Sequence, residues 1–144
     1  MLLLIPGPVR TRPEVRAAAA EDYAPWDNDF RPVYAGIRER VLAIAGGIPG
    51  EHATLPLQGC GHFLVEAAVR SFVPPGGKLL IPRNGAYAER AVRLATEAGR
   101  VVVGLEGPDT RPVAGEAIAA ALAADPAISH VLVVHNETGS GIVN

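Results

Sequence analysis

Thr54-Leu55-Pro56-Leu57-Gln58-Gly59-Cys60-Gly61-His62-Phe63-Leu64-Val65-Glu66-Ala67 reads as a short apolar strand, a glycine turn and the start of a helix. Such a junction is an anion site. The first N–H groups of a helix have no partner within it, and the helix dipole places about half a positive charge there, so a phosphate fits without any lysine. Glycine lets the main chain approach the ligand closely. The dinucleotide fingerprint competes for the same residues, because Gly59 and Gly61 supply its first two glycines. It fails at the third, where Leu64 stands in place of a small residue, and Glu66 comes too early for a ribose contact. The bland alternative is a tight connection in an α/β sheet.

Working outward, residues 13–20 form a short alanine-rich helix with Thr11 or Arg12 near its start. Asp29 is placed to cap a second helix with Pro32 in its first turn, where Val33, Ile37, Val41 and Ile44 make the apolar stripe and Gly46-Gly47 the stop. The strand leading to Gln58 feeds a helix over 62–72. Pro74-Pro75-Gly76-Gly77 then breaks the chain before a strand at 78–82. Asn84-Gly85 opens a helix to about Ala98, with Glu89 and Arg93 at ion-pair spacing, and Gly99 ends it. A buried strand at 101–103, a helix at 114–124 and an apolar strand at 130–135 follow. This alternation predicts an α/β fold, a mostly parallel β-sheet flanked by helices on both faces. Residues 1–30 are expected as an N-terminal arm with a short helix, and 31–144 as βα units. Ligands in such sheets collect beyond the carboxyl ends of the strands, which brings the loops at 58–62, 83–87 and 136–141 to one edge.

Composition narrows the functions. A chain of 144 residues, 49% hydrophobic and with a formal net charge of -2, has the size of one domain and no basic footprint for nucleic acid or a membrane surface. Cys60 is the only cysteine, so neither an intrachain disulfide nor a multi-cysteine zinc site is expected, no metal is expected, and a reducing, cytoplasmic setting is the simplest expectation. The apolar opening Met1-Leu2-Leu3-Leu4-Ile5 is too short for a signal-peptide core and stops at Pro6-Gly7-Pro8.

Five motifs in order carry a resemblance that spans nearly the whole chain. They are Leu4-Ile5-Pro6-Gly7-Pro8-Val9, Trp26-Asp27-Asn28-Asp29-Phe30, Leu57-Gln58-Gly59-Cys60-Gly61-His62-Phe63 with Glu66-Ala67, Asn84-Gly85-Ala86-Tyr87, and Ala124-Asp125-Pro126-Ala127-Ile128-Ser129-His130 leading into His135-Asn136-Glu137-Thr138. In these the chain resembles the class V branch of the fold-type I aminotransferases, which depend on pyridoxal 5'-phosphate (PLP). The resemblance implies the first part of the large, cofactor-binding domain. It also implies transfer of an amino group from 2-aminoethylphosphonate to pyruvate, with an alanine:glyoxylate type of reaction as the alternative. A non-catalytic remnant that binds a phosphorylated ligand or serves assembly is a further alternative.

The resemblance also implies roles. Cys60, Gly61 and His62 would hold the cofactor phosphate, with Cys60 and His62 standing where hydroxyl residues are usual and Cys60 offering a poorer donor. Tyr87 would lie flat on the pyridine ring, and Thr138 would donate to the phenolic oxygen. Gly7 and Trp26 are expected on the substrate side, with simple loop packing as the other account of Trp26. Asp27 and Asp29 are explained by turn and capping duties, His52 and His130 by loop and strand ends, and His135 equally by a satisfied core position or by function. The partners are then a small amino donor and a 2-oxo acid, and the complete enzyme is expected as a homodimer.

A transaminase also needs a Schiff-base lysine and an aspartate on the pyridine nitrogen. Lys78 is the only lysine, and it opens a strand at the edge of the sheet opposite the cofactor loops. It is therefore rejected for that role. The lysine, the aspartate, a substrate-binding arginine and the small domain are expected beyond residue 144, so that the 144 residues alone are expected to be inactive.

Overall fold

The computed structural model describes residues 5, 7 and 9–144, so half of the opening motif, Leu4, Pro6 and Pro8, lies outside the described residues. The chain divides into two compact units, Met1–Gln58 and Gly59–Asn144. The second helix, expected among the βα units, falls in the first of them.

In the first unit, α1 (Pro13–Ala18) carries proline in its first turn, where a missing N–H costs nothing. Helix α2 (Phe30–Ile44) follows Asp29, which stands at the N-cap but makes no side-chain capping bond, contrary to expectation. Asp29 has helical φ and ψ, and this holds its carboxylate away from the capping geometry. The helix stops where Gly46 adopts φ 68° and the Gly47 N–H bonds to Leu42 O at 2.9 Å. Its stripe of Val33, Ile37, Val41 and Ile44 forms as expected, yet all four side chains are exposed.

No strand forms at residues 54–57. Pro56 has no N–H for a ladder, Leu55 is 76% exposed, and Pro49 and His52 form only an isolated bridge. The sheet therefore has three strands among the described residues, not four.

The second unit begins with α3 (Gly61–Phe72) and passes to β1 (Lys78–Arg83), α4 (Ala86–Glu97), β2 (Val101–Glu106), α5 (Gly115–Ala124) and β3 (Ile128–Val131). The strand order is β2-β1-β3, and both pairings are parallel. Strand β1 is central and buried along Leu79, Leu80, Ile81 and Pro82. The expectation of a buried second strand fails, since β2 is an edge with Val101 47% exposed. The expected strand over 130–135 is also shortened. Residues 132–134 leave the ladder after one bond from the Leu132 N–H to Leu80 O, and a small hairpin of β4 (Asn136–Glu137) and β5 (Ile142–Val143) follows.

One face of β1 carries the core. Leu79 and Ile81 pack with Val69 of α3, with Val73 just after that helix, and with Ala91, Ala95 and Ala98 on the α4 side. Alanine at these helical spacings lets α4 lie close to the strand, while Leu80, between Leu79 and Ile81, points to the other face. Arg100 holds the end of α3, donating from Nε to Val73 O at 3.0 Å and from Nη2 to Arg70 O at 3.0 Å. A cation thereby meets the orphan carbonyls and the negative end of the helix dipole. Glu89 does not pair with Arg93. Its carboxylate takes Arg83 Nε at 2.8 Å and Nη2 at 2.9 Å, a two-pronged contact that a helical neighbour does not match.

Candidate functional site

A cavity of about 810 Å3 opens at the carboxyl end of the sheet, wholly within the second unit. Three segments build it: the first turns of α3, the first turns of α4, and the chain that leaves β3. It falls within the ~300–1,000 Å3 usual for small-molecule sites. Its walls are largely apolar, from Leu64, Val65, Ala68, Ala91 and Leu94, with a few polar groups converging.

Cys60, Gly61 and His62 bring the N-terminus of α3 to the cavity. Gly59 takes φ 135°, a conformation that side chains resist, and so turns the chain into the helix. Cys60 is the N-cap in an extended conformation and makes no side-chain capping bond; its carbonyl takes the Phe63 N–H at 3.0 Å, and the Gly61 and His62 N–H groups have no bond among the described residues. Its Sγ lies 3.6 Å from His62 Nδ1. The Arg90 guanidinium contacts His62 Nε2 and sits 5.7 Å above the Tyr87 ring centre. A guanidinium has donors only, so in this contact His62 Nε2 is the acceptor.

Tyr87, 44% exposed, presents its ring at the cavity wall from the first turn of α4, and Thr138 reaches the same cavity from the turn after Glu137. The sequence-derived cofactor residues Cys60, Gly61, His62, Tyr87 and Thr138 thus line one cavity. Gly7 and Trp26 belong to the first unit. Trp26 is 82% exposed there, which removes loop packing as its explanation. Lys78 is at the opposite end of β1, where Nζ meets Asp125 Oδ2 at 2.6 Å. That bond, followed by one from the Ala127 N–H, holds the Asp125 carboxyl below its ordinary value. His135 and Asn136 also line the cavity.

Two residues of the site escaped the sequence reading. Arg90 follows Tyr87 at i+3 on a helix, a spacing that places both on one face and was there to be read. Glu137 is a buried carboxylate whose Oε2 accepts the Tyr87 N–H at 3.1 Å. A contact 50 residues apart leaves no local signal.

No family model matches the chain. It is 47% identical over 142 residues to the 2-aminoethylphosphonate–pyruvate transaminase of Rhizobium meliloti, and 43% identical over 143 residues to that of Pseudomonas aeruginosa. Each alignment covers 99% of this chain but only 37% and 38% of the respective relative. Among solved structures, pyridoxamine-pyruvate aminotransferase from Mesorhizobium loti superposes with a TM-score of 0.90 at 25% identity, covering 100% of this chain and 36% of that one. Alanine–glyoxylate aminotransferase from Nostoc sp. superposes at 0.88 with 26% identity, covering 99% and 37%. The chain therefore spans a little over a third of the length of the relatives it matches. Along essentially all of its residues, in sequence and in fold, it is similar to a little over a third of these aminotransferases.

Proposed function

We propose that these residues form part of a PLP-dependent aminotransferase that moves the amino group of 2-aminoethylphosphonate to pyruvate, giving phosphonoacetaldehyde and alanine. The observation that carries this reading is the meeting of the α3 N-terminus, the Tyr87 ring and the Thr138 hydroxyl at one cavity. The donor set fits the cofactor. An uncapped helix start suits its phosphate, an aromatic face its pyridine ring, and a hydroxyl its phenolic oxygen. When bound, PLP supplies the electron sink for breaking the Cα–H bond of the amine.

The chain's own residues bind and orient. Gly61, His62 and Cys60 hold the phosphate, with Arg90 adding positive charge beside His62. Tyr87 restrains the ring plane, and Thr138 fixes its edge. The apolar wall excludes water from the ring. Lys78, ion-paired at the far end of β1, does not anchor the cofactor. A substrate-side role for Gly7 and Trp26 is supported by the resemblance alone, as is the homodimer. A cytoplasmic setting agrees with an exposed, free Cys60, and among the described residues no helix is long and apolar enough to cross a membrane.

The test is to assay the longer protein that carries these residues, supplied with PLP, for alanine formed from 2-aminoethylphosphonate and pyruvate. No PLP uptake would refute the cofactor reading. Uptake with transfer from alanine to glyoxylate instead would establish the second reading, which the Nostoc sp. neighbour favours.

A further inference from the structure

Tyr87 and Thr138 stand on different elements, yet one side chain joins them. Glu137 immediately precedes Thr138 and is 1% exposed. Its Oε2 accepts the Tyr87 N–H at 3.1 Å, and its Oε1 accepts the Gly139 N–H at 3.4 Å. A carboxylate withdrawn from water needs such partners, and the start of α4 supplies both an N–H and the positive end of a helix dipole. Gly85 makes the approach possible. A Cβ at that position would lie 2.3 Å from Glu137 Cγ and 2.4 Å from Cδ. Its φ of 163° is extended backbone open to any residue, so the glycine is there for space and not for a left-handed turn. The main chain of Glu137 is held as well, paired with Ile142 and bonded from its carbonyl to the Gly141 N–H at 2.9 Å.

Resting on the cofactor reading above, we propose that Glu137 is a positioning residue. It clamps the hairpin that carries Thr138 to the helical turn that carries Tyr87, and so sets the separation between the aromatic face and the hydroxyl that receive a planar ring. Glu137 itself touches no cofactor atom in this scheme. Without the clamp the two contacts become independent, and each loses value when the other is loose.

The test measures the PLP dissociation constant and the visible circular dichroism of bound PLP in the full chain. Glu137→Ala is expected to weaken binding roughly tenfold, the effect of stranding a buried N–H, and to diminish the dichroism. Glu137→Gln keeps an acceptor for the Tyr87 N–H and is expected to recover most of the loss. Gly85→Ala leaves the carboxylate in the chain but denies it space, and is expected to match Glu137→Ala; it also decides the matter if Glu137→Ala does not fold. Thr138→Ala should cost less affinity in the Glu137→Ala background than in wild type. A folded Glu137→Ala or Gly85→Ala chain with wild-type affinity and dichroism overturns the clamp, and so does an equal cost of Thr138→Ala in both backgrounds. A wild-type chain that takes up no PLP overturns the cofactor reading first, before any variant is compared.

Discussion

Two core substitutions separate the stability of the sheet from the geometry of the site. Leu80 is 0% exposed on central strand β1 and points away from the packed face of Leu79 and Ile81. Leu80→Ala removes three buried carbons and leaves a hole on the face away from α4, a loss of about 2–5 kcal/mol. Ala95 is also 0% exposed, but it lies in the contact between α4 and β1. Ala95→Leu adds three carbons where Val69, Leu79 and Ile81 leave no room, an overpacking cost of about 1–3 kcal/mol. Leu80→Ala is therefore the more damaging to stability. For the cavity the order reverses, because relief of the Ala95→Leu clash pushes α4 off the strand and carries Tyr87 and Arg90 with it. Urea unfolding followed by far-UV circular dichroism gives the first quantity, and PLP titration of the folded full chain gives the second. Affinities that fall in the same order as the stabilities would refute the reasoning, since the site would then answer to general loosening and not to the position of α4.

Cys60→Ser puts a hydroxyl at the N-cap of α3, and it is expected to stabilise the PLP-free chain by about 1 kcal/mol and raise its thermal midpoint. Affinity for PLP should also rise severalfold, because the hydroxyl can turn from capping to donating toward a charged phosphate, worth ~1.5–3 kcal/mol and more than the cap it gives up; a weaker PLP titration would contradict this. Lys78→Met removes the partner that depresses the Asp125 pKa, so the wild type should be the more stable above the ordinary carboxylate range. That advantage is present above the unfolded-state value of about 3.9 and is lost as pH falls through the lower folded-state value, which urea midpoints over a pH series would show, while PLP uptake stays as in wild type.

What was legible in the sequence was what short-range chemistry decides. Gly46 and Gly99 end their helices with positive φ, and Pro74-Pro75-Gly76-Gly77 marks the start of β1, because a backbone conformation announces itself in the residue that tolerates it. The face that α4 presents to the sheet follows from spacing in the same way. Strands were read less well, since a strand exists only if a distant partner meets it. Residues 54–57 have the composition but no neighbour, and residues 132–134 have both hydrophobicity and continuity yet leave the ladder to line the cavity. Glu89 shows the same limit among charges, since its local partner Arg93 lost to Arg83, which β1 delivers in a better geometry. That the loops at 58–62, 83–87 and 136–141 meet at one cavity was legible because the carboxyl-end rule needs only strand direction. Glu137 was not, because its role is defined by a helix start elsewhere in the chain.

The two helix N-termini that bound the cavity are treated in opposite ways, and under the proposed function this asymmetry would orient an anionic ligand. The start of α4 is filled by the chain's own carboxylate, Glu137, which takes the Tyr87 N–H and cancels the positive end of that dipole. The start of α3 has no side-chain cap, a deficit of about 1 kcal/mol relative to a good N-cap, and it keeps its N–H groups and its field for a guest. An anion entering the cavity therefore finds one attractive end and one already neutralised. Arg90, beside His62 and over the Tyr87 ring, adds to the same end. A ligand with a phosphate at one end and a flat ring at the other is thereby led to put the phosphate at α3 and the ring toward Tyr87 and Thr138. A carboxylate 50 residues away in sequence is what keeps the second helix from competing for it.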